Sequence, residues 1–112
     1  MGGDAVNSWL ILILAGLFEV GFTTCMKLSA GFTQIKYTIC FLFFTILSLF
    51  FLNKAIAQIP LGTAYAVWTG IGAFGTALIG ILFFKDPITL PRAIFLILLI
   101  GSILGLKFVS NE

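Results

Sequence analysis

Four apolar stretches separated by short polar connections leave this chain few ways to fold. They cover residues 9–28, 35–53, 60–84 and 91–109. Each is near the ~17–25 residues a helix needs to cross a bilayer. In lipid, only helices and closed barrels satisfy their own backbone hydrogen bonds. Pro60, Pro87 and Pro91 fall at the connections, where a missing N–H is tolerated. The 112 residues are 61% hydrophobic and 9% charged, whereas a soluble domain is about one quarter charged. The sequence therefore predicts an all-α integral membrane protein, a single four-helix transmembrane domain over residues 1–112.

Composition excludes several functions. A net charge of +2 is too small for a nucleic-acid footprint. The absence of histidine removes the usual catalytic base and the commonest metal ligand, so no metal site is expected. No span or loop assembles a nucleophile, a base and an oxyanion donor, which argues against an enzyme. Cys25 and Cys40 sit in apolar runs without metal-type spacing and read as small buried hydrophobes, a hairpin disulfide being the lesser alternative. The opening "MGGDAVNS" lacks the positive start and cleavage pattern of a signal peptide. Asp4, Asn7 or Ser8 is placed to cap the first helix.

Charge placement bears on assembly. With four spans, Lys54 and Lys107 fall on the side of the termini, and Lys27, Lys36, Lys85 and Arg92 on the other. The positive-inside rule favours the second set facing the cytoplasm, but the margin is small enough to permit both orientations. Four helices are too few to enclose a translocation path, so a transporter of this size must assemble. Two copies inserted in opposite senses would form the inverted repeat that larger transporters carry within one chain.

The exception inside the first apolar stretch, "WLILILAGLFEVGFTTCMK", is Glu19. It lies ~15 Å along a helix from Trp9 and ~12 Å from Lys27, near the bilayer midplane. An ionised acid at that depth costs about 3 kcal/mol on insertion scales. A proton or a cation relieves that penalty, so the position suits a site where the two compete. The plainer alternative is a permanently protonated interhelical hydrogen bond. Ala15 and Gly16 lie one turn before Glu19 on the same face, and Phe22, Thr23 and Met26 after it. The small pair permits close approach, while the ring and thioether offer a polarizable wall for an organic cation.

The third stretch places Tyr65, Trp68, Thr69 and Gly72 at i, i+3, i+4 and i+7, on one face. Tyr65 and Trp68 read either as a cation–π surface with donors to Glu19 or as interhelical packing with satisfied polar tips. Ser48 either reaches the same cavity or bonds its own backbone. "GIGAFG" formally matches a dinucleotide fingerprint but lies inside an apolar helix, where such glycines allow close packing or a bend. In the fourth stretch, Gly101 and Gly105 form the GxxxG of "GSILG", a contact face for another subunit's helix.

With "AGLFEV", "TTCMKLSAGFT" and "IPLGTAYAVWTGIG" on a four-span layout, the chain resembles the small multidrug resistance (SMR) family of proton-coupled cation exporters. The resemblance covers nearly everything from Trp9 onward. It implies an antiparallel, dual-topology homodimer in the bacterial inner membrane, with both copies of Glu19 forming one site for which protons and small organic cations compete. Protons would be the coupling ion, and no cofactor is implied. By the same resemblance, Tyr65, Trp68 and Ser48 line the site, Gly70 and Gly72 form a flexible pair, and the "GSILG" helix forms the dimer contact. "TTCMKLSAGFT" is similar to the quaternary-ammonium branch, whereas "WTGIGAFGTALIGILFFKDP" looks more like the guanidinium branch. Phe22 stands where the guanidinium branch typically has Trp and the multidrug branch Gly. Phe cannot donate a hydrogen bond to orient a carboxylate, so the expectation leans to hydrophobic amines and quaternary ammonium compounds. The alternatives are a guanidinium-selective antiporter and a structural or assembly subunit of a heteromeric complex.

Overall fold

The computed structural model describes residues 2–109, with side chains from Val6 onward. Four helices follow in order: α1 (Gly2–Leu28), α2 (Ile35–Ala55), α3 (Leu61–Phe83) and α4 (Leu90–Val109). All four are long and apolar enough to cross a membrane, and no strand occurs among the described residues. The protein is an all-α integral membrane protein. One local expectation needs correction. Asn7 and Ser8 lie within α1, so neither caps its start, and the Asp4 side chain lies outside the described residues. Once nucleated by the apolar run, the helix propagates outward, because each further residue adds a backbone hydrogen bond at little cost.

The connections are tight, and each closes on its own polar atoms. After α1, the Ser29 hydroxyl donates to the Met26 carbonyl (2.7 Å) and accepts from the Phe32 N–H (3.0 Å). Ala30, Gly31 and Phe32 all have positive φ, which reverses the chain into α2. Between α2 and α3, Ile59 is buried in the core, and Pro60 leads into the next helix. After α3, the N–H groups of Phe84 and Asp86 both donate to the Gly80 carbonyl, at 3.1 and 2.9 Å. The Thr89 hydroxyl accepts from the Arg92 N–H at 3.3 Å and caps the first turn of α4.

The core lies where α1, α2 and α3 meet, and consists of Trp9, Leu12, Ala55, Ile59, Ala64 and Val67. Close approach of the helices depends on small residues, as expected where apolar surface alone cannot drive association in lipid. A Cβ added at Gly16 would fall 2.8 Å from the Ile71 Cβ, and one at Gly70 would fall 2.7 Å from the Ile103 Cδ1. The helix α4 packs alongside α3, has no buried residue, and reaches α1 through Lys107, whose ammonium sits 5.0 Å from the Trp9 ring. The result is a slab of 45 × 35 × 18 Å. Both cysteines are free thiols, Cys25 buried and Cys40 half-buried.

These contacts rank two substitutions. Gly16→Ala meets a Cβ that cannot rotate away, and should cost about 1–3 kcal/mol. Gly70→Ala meets the free end of Ile103, which can turn aside, and should cost less. Thermal unfolding of the detergent-solubilised protein checks the order, and equal losses would contradict it.

Candidate functional site

Glu19 lies two-thirds of the way along α1, and its carboxylate rests against α3 at Gly72. A Cβ at residue 72 would overlap the carboxyl group, so the acid occupies space left by the missing side chain. Its Oε1 is buried and has no hydrogen-bond partner among the described residues. That is a costly arrangement for an acceptor, since a buried polar atom without a partner forfeits its full desolvation energy.

One turn earlier the polar atoms are fully used. The Ser48 hydroxyl on α2 donates to the Ala15 carbonyl on α1 at 2.7 Å and accepts from the Trp68 indole N–H on α3 at 2.9 Å. Ser48 is completely buried. Three helices are thus tied together through one hydroxyl group. Trp68 donates to Ser48 and not to Glu19, and Ser48 bonds a neighbouring helix's backbone, not its own. Tyr65 is exposed, its ring 5.6 Å from that of Trp68. The stripe expected on α3 therefore turns from buried Gly72, through half-buried Trp68, to exposed Tyr65 and Thr69.

The remaining candidates divide between the site and the packing. Phe22 stands edge-on to Phe41 of α2, with ring centres 5.9 Å apart. The Thr23 hydroxyl oxygen is 2.6 Å from that of Thr76 on α3. Met26 is exposed, and Gly16 is buried beneath Ile71. Gly70 seats Ile103, and α3 runs unbroken past both Gly70 and Gly72. Gly101 and Gly105 are exposed, with no atom within 4 Å of an added Cβ. Sequence reasoning missed Thr76 and the Ala15 carbonyl. The spacing of Gly72, Thr76 and Gly80, one residue every four, was the available signal for Thr76.

This arrangement defines a small helical membrane protein built around a membrane-embedded carboxylate. Residues 7–99 match the family described as Small Multidrug Resistance protein, and the chain belongs to that family. It is 44% identical over 103 residues to the guanidinium exporter of Yersinia pestis, covering 92% of this chain and 99% of that protein. The guanidinium exporter of Proteus vulgaris is 41% identical over the same shares. That of Salmonella typhimurium is 42% identical over 104 residues, covering 93% and 99%. These relatives are exporters, not enzymes.

The hydroxyl tie carries a prediction. Ser48→Ala strands the Trp68 N–H and releases the Ala15 carbonyl, and should destabilise by about 1–3 kcal/mol. Trp68→Phe leaves Ser48 bonded to Ala15 and should have a smaller effect through this tie. A double-substitution cycle on thermal stability measures the coupling. No coupling between the two positions would mean that the bond contributes nothing.

Proposed function

We propose that this chain is a proton-coupled exporter of guanidinium-class cations, acting as an antiparallel homodimer in the bacterial inner membrane. The observation that carries the reading is the Glu19 carboxylate, buried against Gly72 with an oxygen that no described group satisfies. A charged carboxylate in such surroundings needs a counter-cation, and without one it takes up a proton. That exclusivity is the basis of exchange: cation binding expels the proton, and proton binding expels the cation. An interhelical glue residue would instead have its oxygens paired with a neighbouring helix. The same observation therefore speaks against a purely structural subunit.

The substrate follows from chemistry and kinship together. Guanidinium presents N–H pairs in a plane that matches the two oxygens of a carboxylate. Relatives of matching length that are named guanidinium exporters favour this cation over the quaternary ammonium compounds suggested by Phe22. Phe22 still supports a second reading. Its ring and that of Phe41 form a donor-free wall beside Glu19, suited to bulkier, more apolar cations. Assembly is supported by the open α4 face at Gly101 and Gly105 and by the small charge bias between the two sides of the membrane.

Guanidinium added to weakly buffered, detergent-solubilised protein near neutral pH should release protons, and Glu19→Gln should abolish the release. Release that persists in the Gln variant would overturn the mechanism. In the same assay, tetrapropylammonium should release fewer protons than guanidinium; the opposite order would favour the second reading. Phe22→Trp adds one hydrogen-bond donor and should tighten guanidinium binding about fivefold.

A further inference from the structure

We propose that the paired hydroxyls of Thr23 and Thr76 form the polar step on the cation's route between Glu19 and one membrane face. The inference rests on the guanidinium-exporter reading and adds a route to it. Residues 72, 76 and 80 of α3 are spaced one turn apart, ~6 Å each. They meet three polar groups in sequence. Gly72 makes room for the Glu19 carboxylate, Thr76 meets the Thr23 hydroxyl at 2.6 Å, and Gly80 makes room for the Asp86 carboxylate. On α1, Glu19, Thr23 and Lys27 keep the same four-residue step. The hydroxyl pair therefore stands between the buried acid and the end of the helices.

Beyond the pair lies a cavity of about 160 Å³, whose lining includes Thr23, Thr24, Thr76, Lys27, Phe84 and Asp86. That is several times the ~30 Å³ share of one water molecule, enough for a small planar cation. Its hydroxyls are turned to suit such a cation. Thr23 and Thr24 both have the Val20 carbonyl as acceptor, at 3.0 and 2.8 Å, and whenever Thr23 donates there Thr76 is the donor within the pair, although either hydroxyl can fill that role. When those hydrogens point to Val20 and Thr23, the three oxygens turn lone pairs outward, which accept from the N–H groups of guanidinium as it sheds water.

The mouth is built to release the cation. Lys85, with φ of 59°, turns the chain so that the Asp86 N–H reaches the Gly80 carbonyl. Asp86 is then offset by Arg92 at 3.7 Å, and Lys27 lies over the Phe84 ring in the same cavity. With two cations beside one carboxylate, the mouth does not retain a third, and Glu19 remains the holding site.

The test separates oxygen from shape. Thr76→Val removes the oxygen and keeps the volume, whereas Thr76→Ser keeps the oxygen. In proteoliposomes, guanidinium transport by Thr76→Val should fall about tenfold, from the loss of one or two hydrogen bonds in passage. Equilibrium guanidinium affinity in detergent should stay within twofold of wild type, which also shows that the variant is folded. Thr76→Ser should restore the rate to within twofold. A Val variant at the wild-type rate, a fall in affinity matching the fall in rate, or no rescue by Ser would each overturn the route. If the wild-type protein moves no guanidinium, the function falls first and the route with it; wild-type transport with an unaffected Val variant sinks the route alone.

Discussion

Lipid offers a polar atom no hydrogen-bond partner, and the whole arrangement answers that constraint. The backbone is satisfied within its helices. The turns close on themselves through Ser29, Gly80 and Thr89. Ser48 satisfies the Trp68 indole and the Ala15 carbonyl with one hydroxyl. Two buried atoms depart from that pattern among the described residues, the Trp9 indole nitrogen and an oxygen of Glu19, and of the two only the carboxylate can carry a negative charge. That incomplete carboxylate is the feature on which the proposed exchange of proton and cation rests.

Glycine serves the same end. Gly16 and Gly70 receive Ile71 and Ile103, letting α3 lie close to α1 on one side and α4 on the other, while Gly72 receives the Glu19 carboxyl group. One packing device thus builds the bundle and makes the site. The tie at Ser48 holds α1, α2 and α3 as a unit next to that site. By contrast, α4 has no buried residue and leaves Gly101 and Gly105 uncovered. The slab it produces has apolar faces on α2 and α4 that lipid or a second copy must cover.

In the proposed function, selectivity comes down to which groups around Glu19 remain free to bond. The indole N–H of Trp68 is committed to Ser48, and Phe22 contributes a ring without a donor. Little in one chain fixes the carboxylate's orientation beyond its contact with Gly72. On the proposed reading, planar recognition by this acid depends on what a second copy adds. For that reason the relatives named guanidinium exporters and the aromatic wall support different cations in the two readings proposed above.

By itself, the amino-acid sequence determined the four spans and the membrane location, and it singled out Glu19 as the acid placed at mid-depth. Hydropathy over about twenty residues and one acid at mid-depth are properties of a single helix, independent of neighbours. It also pointed to Ser48, Trp68 and Gly72 as a group, but not to their roles. Whether Trp68 bonds Glu19 or Ser48 depends on the rotation of α3 against α2, which periodicity along one helix does not encode. Only the tertiary structure decided that Gly72 is the socket for the acid, that Thr23 meets Thr76, and that Asp86 folds back onto Gly80. Each of those contacts joins residues far apart in the chain or turned across a loop. The first two pairings are set by how helices seat on one another and the third by how the turn after α3 folds, and periodicity along one helix encodes neither.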